Sequence, residues 1–227
     1  MELGSIIGLE LFDEDVHYTF PTFYYSLGDK KFYFKSLSLE LGSLNFVIGE
    51  RKVGKTLFMR SLTGLECPNE KPLERNFLNY DIVYKPEFIE PKFNGSLNEL
   101  IISKKLDENS FFMKNISKLD LLRFLDVSVR ELGEEQKQLL SFCIFLSTEG
   151  LIYVMDSPSY LISESKRGVM YGIFKNFCDK NDKIGLITED NEKLVNEVID
   201  ERLGRKYFIK KFSENEFYGG DMYIENN

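Results

Sequence analysis

The sequence predicts an α/β fold with a buried parallel sheet, antiparallel strands at its edges and a separate helical part. Three apolar runs, near 44–48, 151–155 and 184–188, have the continuous hydrophobicity that is typical of strands buried on both faces. The stretch from about 97 to 149 has apolar residues at helical spacing instead. These two observations indicate one domain with an α/β core and a helical subdomain.

Strands with one polar face are predicted towards both ends of the chain. In KKFYFKSLSLEL, Phe32 and Phe34 alternate with lysines, which is typical of an edge strand with one solvated face. Near the C-terminus, KYFIKKF and EFYGGDMYI predict a pair of antiparallel strands around a turn. The sheet is therefore expected to have antiparallel edges.

Helical spacing in the middle of the chain is the basis for dividing the domain into two parts. The spacing appears in two groups of residues: Leu97, Leu100 and Ile101, then Leu119, Leu122 and Leu125. We expect a single domain over 1–227, with a core lobe at about 1–96 and 150–227 and a helical subdomain at about 97–149.

Composition and charge exclude several classes of protein. The chain has 29 Lys and Arg against 37 Asp and Glu, a net charge of −8, which argues against broad DNA or RNA binding. No apolar run approaches the ~18 residues of a membrane span, and the N-terminal residues do not resemble a signal peptide. Three scattered cysteines cannot supply an all-cysteine iron–sulfur or zinc site. A cytoplasmic protein without an iron–sulfur cluster is expected.

A phosphate-binding loop is predicted directly after the first buried strand. The stretch GERKVGKT fits G-x-x-x-x-G-K-[ST], in which backbone N–H groups converge on phosphate at the start of a helix. Lys55 would place its charge on the β and γ phosphates, and the Thr56 hydroxyl would hold Mg²⁺. The nucleotide-binding residues predicted in the loop are Gly49, Glu50, Arg51, Lys52, Val53, Gly54, Lys55, Thr56 and Leu57. The alternative is a tight strand-to-helix turn kept for packing.

A second motif supports the loop. LIYVMDSP is an apolar run that ends in Asp156, which could reach the magnesium ion through water. Alone, an acid after a strand is more often a turn or cap residue. Together with the loop, it favours Thr56 and Asp156 as magnesium ligands when nucleotide is bound.

The ordered series of motifs resembles an ABC-type ATPase, and specifically the second nucleotide-binding domain of the ABC-E class, the ribosome-recycling factor also called RNase L inhibitor. IVYKPEFIEPKFNGSLNELI is similar to its V-S-Y-K-P-Q segment, and VRELGEEQKQLL through VMDSPS matches its V-x-x-L-S-G-G-E-L-Q-R through L-L-D-E-P-S without a gap. The resemblance implies an ABC-type P-loop domain with a helical subdomain, binding of ATP and Mg²⁺, and a ribosome or ribosomal subunit as partner. It also implies a need for another ABC domain, since ABC hydrolysis uses two facing half-sites.

Several positions depart from the ABC-E pattern. The catalytic glutamate is Ser157, the switch histidine is Asp190 and the lid glutamine is Glu87. A serine hydroxyl has no useful basicity at neutral pH, and Asp190 would bring negative charge towards the γ-phosphate. The resemblance therefore implies a pocket that holds nucleotide after the hydrolytic groups have been lost.

The signature motif and the loop are also altered. Ser-Gly-Gly-Glu becomes Gly133, Glu134, Glu135 and Gln136, which would present carboxylates to a triphosphate on a partner domain. The structural explanation is that acids in the first turn of a helix suit the helix dipole. In the loop, Lys52 stands where the class has an inner glycine, and Leu57 replaces its second hydroxyl residue. Leu57 is expected to weaken nucleotide binding without abolishing it.

An aromatic residue that stacks on adenine is expected just before the first strand. By resemblance it aligns with Phe20, with Tyr18 as the second choice. The alternative is that Phe20 is part of the core.

Three functions remain open at this stage. The first is a ribosome-associated, non-hydrolysing ABC-E-like factor; the second is half of a composite ATPase completed by a partner; the third is a protein-binding scaffold with a vestigial pocket. The best local basic patch is GRKYFIKK, with Arg205, Lys206, Lys210 and Lys211, which is either an RNA contact or a solvated edge strand.

Overall fold

The computed structural model describes most of the chain. The described residues are 17–20, 23–27, 30–34, 37–65, 81–87, 92–198, 206–211 and 220–224. Their strands are β1 (His17–Phe20), β2 (Phe23–Leu27), β3 (Lys30–Phe34), β4 (Leu37–Glu40), β5 (Leu44–Ile48), β6 (Ile82–Lys85), β7 (Ile152–Met155), β8 (Ile184–Glu189), β9 (Lys206–Lys211) and β10 (Gly220–Ile224). Their helices are α1 (Lys55–Leu62), α2 (Leu97–Ser103), α3 (Ser110–Lys118), α4 (Glu134–Ser147), α5 (Glu164–Asn181) and α6 (Glu192–Val198). None of the helices in these residues is both long and apolar enough to cross a membrane.

A six-stranded sheet forms the centre of the fold, with the strand order β10-β9-β5-β8-β7-β6. The five strands from β9 to β6 are parallel, and β10 pairs antiparallel with β9. The three predicted buried strands are confirmed as β5, β7 and β8, and every residue in them is buried. The predicted C-terminal antiparallel pair is confirmed as β9 and β10.

The predicted single edge strand in KKFYFKSLSLEL is wrong, because two strands form there. β3 pairs with β2, and β4 pairs with β1, each in its own two-stranded sheet. The positions of the apolar residues explain why one strand does not form. Phe32 and Phe34 are at even positions, whereas Leu37 and Leu39, which are fully buried, are at odd positions. One continuous strand would place these two pairs on opposite faces.

The middle of the chain is helical, but its second group of leucines is not one helix. α3 ends where Leu119 caps it, and Asp120 follows with a left-handed φ of 59°. Residues 122–124 form a single 3-10 turn, in which Leu122 is 38% exposed. Leu121 is buried instead, because the left-handed residue changes the direction of the chain.

Apolar side chains pack on both faces of the sheet. On one face, Val47, Val154 and Leu186 pack with Phe58 of α1 and with the buried side of β4. On the other face, one cluster joins side chains of β5, β7 and β8 to those of α3, α4 and α5. The helices of the middle segment therefore share a core with the sheet, and the sheet holds the ends of its strands in fixed positions.

We predict that Gly185→Ala destabilises the protein by about 1–3 kcal/mol, because it overpacks this core. A Cβ at Gly185 would collide with the Leu44 side chain and lie 2.9 Å from Cys178 Sγ. Gly168→Ala is the matched control, since a Cβ there meets nothing within 4 Å. Gly168 lies inside α5, so its replacement should stabilise the protein by up to about 1 kcal/mol. Urea unfolding of the two variants measures both effects, and equal midpoints would contradict the packing argument.

Candidate nucleotide-binding site

The predicted phosphate loop connects β5 to α1. α1 begins at Lys55 with Gly54 as its N-cap, and Gly54 has a φ of 101° that favours glycine. Lys52 also has a left-handed φ, 67°. Glycine adopts this conformation readily and a lysine adopts it at a cost, which explains why a glycine is expected at this position. The loop therefore keeps a glycine-type backbone although Lys52 has a side chain.

Lys55 turns inwards onto the loop. Its side chain is only 7% exposed, and Nζ donates hydrogen bonds to the backbone oxygens of Gly49 at 2.5 Å and Glu50 at 2.8 Å. Burial lowers the pKa of Lys55, while the nearby Asp190 and other carboxylates oppose that shift. Lys55 is thus a buried cation at the base of the loop, whose N–H groups can be shared with phosphate oxygens.

The other residues predicted in the loop differ in how exposed they are. Val53 is buried, Leu57 packs partly against the core, and Thr56 is exposed at the start of α1. Arg51 and Lys52 are exposed on the loop. The Thr56 hydroxyl is therefore accessible to an ion that enters with phosphate.

Asp156 lies at the end of β7 in the position that the sequence predicts. It is 1% exposed, and its Oδ1 accepts a hydrogen bond of 2.7 Å from Thr188 Oγ1. Thr188 Oγ1 in turn accepts a 2.6 Å hydrogen bond from the backbone N–H of Ser157. Two further donors lie farther away: Ser157 Oγ is 3.4 Å from Oδ1, and Tyr84 Oη is 3.5 Å from Oδ2. Oδ2 can therefore accept a hydrogen bond from water on a magnesium ion, which fits the predicted role.

Ser157 and Thr188 form a pair of hydroxyls next to Asp156. Their oxygens are 3.2 Å apart, and Ser157 Oγ is 3.4 Å from Asp156 Oδ1. Ser157 has a left-handed φ of 38°. Thr188 was not predicted from the sequence; the available signal was a hydroxyl residue directly before the acid that ends an otherwise apolar strand.

Asp190, at the predicted switch position, is paired with the loop. Its Oδ2 is 3.2 Å from Arg51 Nε, with 74% of the Arg51 side chain and 32% of the Asp190 side chain exposed. Burial raises the pKa of Asp190, but hydrogen bonding of its side chain with Glu189 and Arg51 outweighs this effect and lowers the pKa overall. Asp190 therefore brings negative charge to the site, as expected, and Arg51 partly neutralises it, which the sequence analysis did not foresee.

Glu189 is a second residue that the sequence analysis missed. It is completely buried, with its carboxylate hydrogen-bonded to Tyr171 Oη and to the backbone N–H groups of Asp190 and Asn191. Its own backbone oxygen accepts a 3.2 Å hydrogen bond from Gly49. Burial raises the pKa of Glu189. The end of β8 is thus fastened to the first residue of the phosphate loop.

Phe20 and Glu87 differ strongly in exposure. Phe20 is 2% exposed and is part of the core cluster under α1. This burial agrees with the core alternative for Phe20, and stacking on adenine stays a prediction. Glu87 is exposed just after β6, and its negative charge contributes to raising the pKa of Tyr84, after burial and Asp156.

The two acids of the altered signature motif have structural partners. Glu134 and Glu135 form the first turn of α4, after the N-cap Gly133. Glu134 pairs with Lys137 at 2.9 Å, and Glu135 accepts hydrogen bonds from the N–H and the hydroxyl of Ser163 at 2.8 and 2.7 Å. The Ser163 hydrogen bonds lower the pKa of Glu135. This arrangement agrees with the structural explanation, in which the acids suit the first turn of α4, and Glu135 also connects α4 to Ser163 before α5.

Lys85, in the Tyr-Lys-Pro segment, is a buried cation next to the site. It is 1% exposed, and Nζ donates a 2.9 Å hydrogen bond to Gln138 Oε1 of α4. Its backbone oxygen accepts from the Asp156 N–H at 2.9 Å. Lys85 therefore connects the strand that precedes Glu87 with the helix that begins within the signature motif.

We predict that Thr188→Val lowers the free energy of unfolding by about 1–3 kcal/mol, because it leaves Asp156 Oδ1 and the Ser157 N–H without their shortest partner. Thr188→Ser should recover most of that loss, since it restores the hydroxyl. Ser157→Ala removes only the longer contacts and serves as the control. Equal stability of Thr188→Val and Thr188→Ser in urea would contradict this role of the hydroxyl.

We predict that the buried Lys85 makes the free energy of unfolding increase with pH in the alkaline range. Burial lowers the pKa of Lys85 from 10.5 to about 8. Between these values the unfolded chain binds more protons than the folded one, so this contribution to stability rises with pH and is lost as pH falls towards 8.

Lys85→Met should remove that contribution. The measurement is the difference in the free energy of unfolding between the natural protein and Lys85→Met at pH 7.5, 8.5 and 9.5. We expect the natural protein to gain on the variant as pH rises. A constant difference would show that Lys85 is not charged differently in the two states.

Comparisons with known proteins agree with this geometry. No family model matches the chain. It is 26% identical over 178 residues to an uncharacterized ABC transporter ATP-binding protein of Methanocaldococcus jannaschii, covering 78% of this chain and 29% of that protein. It is 25% identical over 175 residues to ABC transporter E family member 1 of Arabidopsis thaliana, covering 76% and 29%. It is 27% identical over 175 residues to Translation initiation factor RLI1 of Chaetomium thermophilum, covering 76% and 28%.

Solved structures show the same fold. The RNase-L Inhibitor superposes with a TM-score of 0.76 at 23% identity, covering 94% of this chain and 40% of that one. An archaeal ribosome recycling factor, in complex with the ribosomal stalk protein aP1, gives 0.76 at 22% identity, covering 98% and 41%. This chain spans less than a third of the length of the three relatives above. It has the fold of an ABC-type nucleotide-binding domain, and the predicted resemblance to the ABC-E class is confirmed.

Proposed function

We propose that this protein is a ribosome-associated, ABC-E-like factor that binds a nucleotide and does not hydrolyse it. One observation supports the proposal most directly: Lys55 and Asp156 are kept in place, while the position after Asp156 is taken by a serine that pairs with Thr188. The site retains groups that bind phosphate and magnesium. The group that would activate water is replaced by a hydroxyl.

Binding needs only groups that this chain supplies. The loop N–H groups and the start of α1 attract phosphate, and Lys55 can exchange its carbonyl partners for phosphate oxygens. Thr56 and Asp156 would hold a magnesium ion, which neutralises phosphate charge when it is bound. Magnesium usually enters such sites with the nucleotide, through one or two protein ligands and several waters.

Hydrolysis needs a base or a positioning group for water, and three carboxylates at the strand ends beside the loop already have partners. Asp156 is bound to Thr188, Glu189 is buried against Tyr171, and Asp190 is paired with Arg51. A serine hydroxyl at 157 cannot accept a proton at neutral pH. These contacts support binding without turnover.

The altered signature motif argues against a composite ATPase in which this chain completes a partner's site. Glu134 and Glu135 place two carboxylates at the start of α4, and Glu135 is held there by Ser163. At a few Å from a triphosphate, each carboxylate repels it by about 4 kcal/mol at an effective dielectric near 20. A partner domain would gain no donor from this surface.

The ribosomal part of the proposal comes from the relatives. One is a translation initiation factor, and one structure of similar fold contains an ABC-E protein bound to the ribosome with Pelota (TM-score 0.73, 23% identity). The basic patch predicted for such contacts contains Arg205, which lies outside the described residues, and three lysines on β9. β9 has β5 on one side and β10 on the other, so an RNA contact would use a face of the sheet rather than an open edge.

We predict that the isolated chain binds Mg-nucleotide but does not turn over ATP above background. Lys55→Ala should weaken binding at least about tenfold, or ~1.4 kcal/mol, because it removes the phosphate charge but leaves the loop glycines. Calorimetry and a phosphate-release assay are the measurements. Steady turnover near the ~10 s⁻¹ typical of enzymes, abolished by Lys55→Ala, would overturn the non-hydrolysing part of the proposal.

We predict that the chain co-sediments with ribosomal particles on sucrose gradients, to the same extent with ATP and with a non-hydrolysable analogue. A factor that does not hydrolyse ATP has no hydrolysis-driven release, so concentration and affinity alone set its occupancy. If β9 contacts rRNA, binding should fall steeply between roughly 50 and 200 mM salt.

The control neutralises four lysines away from β9, at positions 104, 105, 114 and 118. It makes the same change in net charge as neutralising Arg205, Lys206, Lys210 and Lys211. Only the second set should flatten the salt dependence. Failure of the natural protein to leave the top of the gradient at low salt, with ribosomes in excess, would refute ribosome association.

A further inference from the structure

An ion pair joins the phosphate loop to the end of the neighbouring strand. Arg51 Nε and Asp190 Oδ2 are 3.2 Å apart. The backbone fixes this approach, because β5 and β8 are parallel neighbours with Ile48 opposite Glu189, and Gly49 donates to the Glu189 oxygen. Asp190 is therefore placed beside the loop by the register of the sheet and not only by a flexible side chain.

The pair contributes little to the stability of the fold. Arg51 is 74% exposed, and ion pairs at this exposure are weak because water and salt screen them. Asp190 nevertheless stands close to the base of the pocket, because Gly49 donates its N–H to the Glu189 oxygen and accepts a hydrogen bond from Lys55 Nζ through its own backbone oxygen. The main electrostatic effect of Asp190 is thus on the ligand that binds at Lys55.

The charge of Asp190 persists at neutral pH. Glu189 beside it is fully buried, and burial raises the Glu189 pKa, whereas the pKa of Asp190 is lowered by its hydrogen bonds. Asp190 is also partly exposed, so solvent stabilises its charge. The end of β8 therefore presents the charge of Asp190 to the loop.

The lysine of such loops contacts the β and γ phosphates. A third phosphate therefore adds negative charge to the part of the ligand that lies next to Lys55. A triphosphate must therefore approach Asp190 or draw Arg51 away from it. A diphosphate can use the loop N–H groups and Lys55 and leave the ion pair intact. We infer that Asp190 is a specificity-determining residue that makes this pocket select nucleoside diphosphates over triphosphates.

This inference rests on the proposed nucleotide binding and makes it more specific. A pocket that prefers diphosphate has no requirement for a catalytic base, and it agrees with the hydroxyl pair at Ser157 and Thr188. Lys55 remains available to a diphosphate because Arg51, and not Lys55, is the direct partner of Asp190.

The test compares the dissociation constants of Mg-ADP and Mg-ATP by calorimetry, on the whole chain and on Asp190→Asn. We expect ADP to bind at least about tenfold more tightly than ATP to the natural protein. Asp190→Asn should reduce this preference at least about tenfold, by strengthening ATP binding. Glu192→Gln, which removes the same charge from an exposed position in the first turn of α6, should leave the preference unchanged.

A second variant tests the ion pair. Arg51→Gln leaves Asp190 without its cation, so the preference for ADP should increase, and it should increase most at low salt, where screening is weakest. Equal affinities for ADP and ATP in the natural protein, or a preference that Asp190→Asn does not change, would overturn the inference and leave nucleotide binding standing. Binding of neither nucleotide would overturn both.

Discussion

The parallel register of β5, β8 and β7 is the constraint on which the site depends. Pairing of β5 with β8 places the first residue of the phosphate loop next to Glu189, and pairing of β8 with β7 places Thr188 next to Asp156. A shift of one residue would turn these side chains to opposite faces of the sheet. The core on both faces prevents such a shift, because every residue of the three strands is buried.

Given this register, a few side chains at the strand ends can change the chemistry without changing the fold. Ser157 and Thr188 form a closed set of hydrogen bonds around one oxygen of Asp156. Arg51 and Asp190 form another set at the rim of the loop. Each set gives hydrogen-bonding partners to a position, Ser157 or Asp190, at which the ABC-E pattern has a catalytic group. These contacts support the proposal of a rearranged phosphate site over that of a collapsed one.

Local patterns made the site predictable in part. The glycines and lysine of the loop, the acid after β7 and the acids in the first turn of α4 follow from neighbouring residues and their spacing. Three contacts could not be predicted, because their residues are far apart in the sequence. Thr188 is 32 positions from Asp156, Arg51 is 139 from Asp190, and Lys85 is 53 from Gln138. The prediction of a single edge strand was wrong for a local reason: the alternation of apolar residues changes from even to odd positions between Phe34 and Leu37. A count of apolar residues overlooks such a change.

The buried polar groups around the loop are evidence against a pocket that serves packing alone. Lys55, Lys85, Asp156 and Glu189 are all at least nine-tenths buried. Burying a charge is costly even when it is paired, and well-packed apolar side chains of similar volume are often as stable or more stable. A strand-to-helix turn kept only for its shape would gain from apolar residues at these positions. Lys85 and Glu189 are held by Gln138 and Tyr171 inside the fold. For Lys55 and Asp156, the proposed anionic ligand with its metal ion is a better explanation than packing, because it would use both groups.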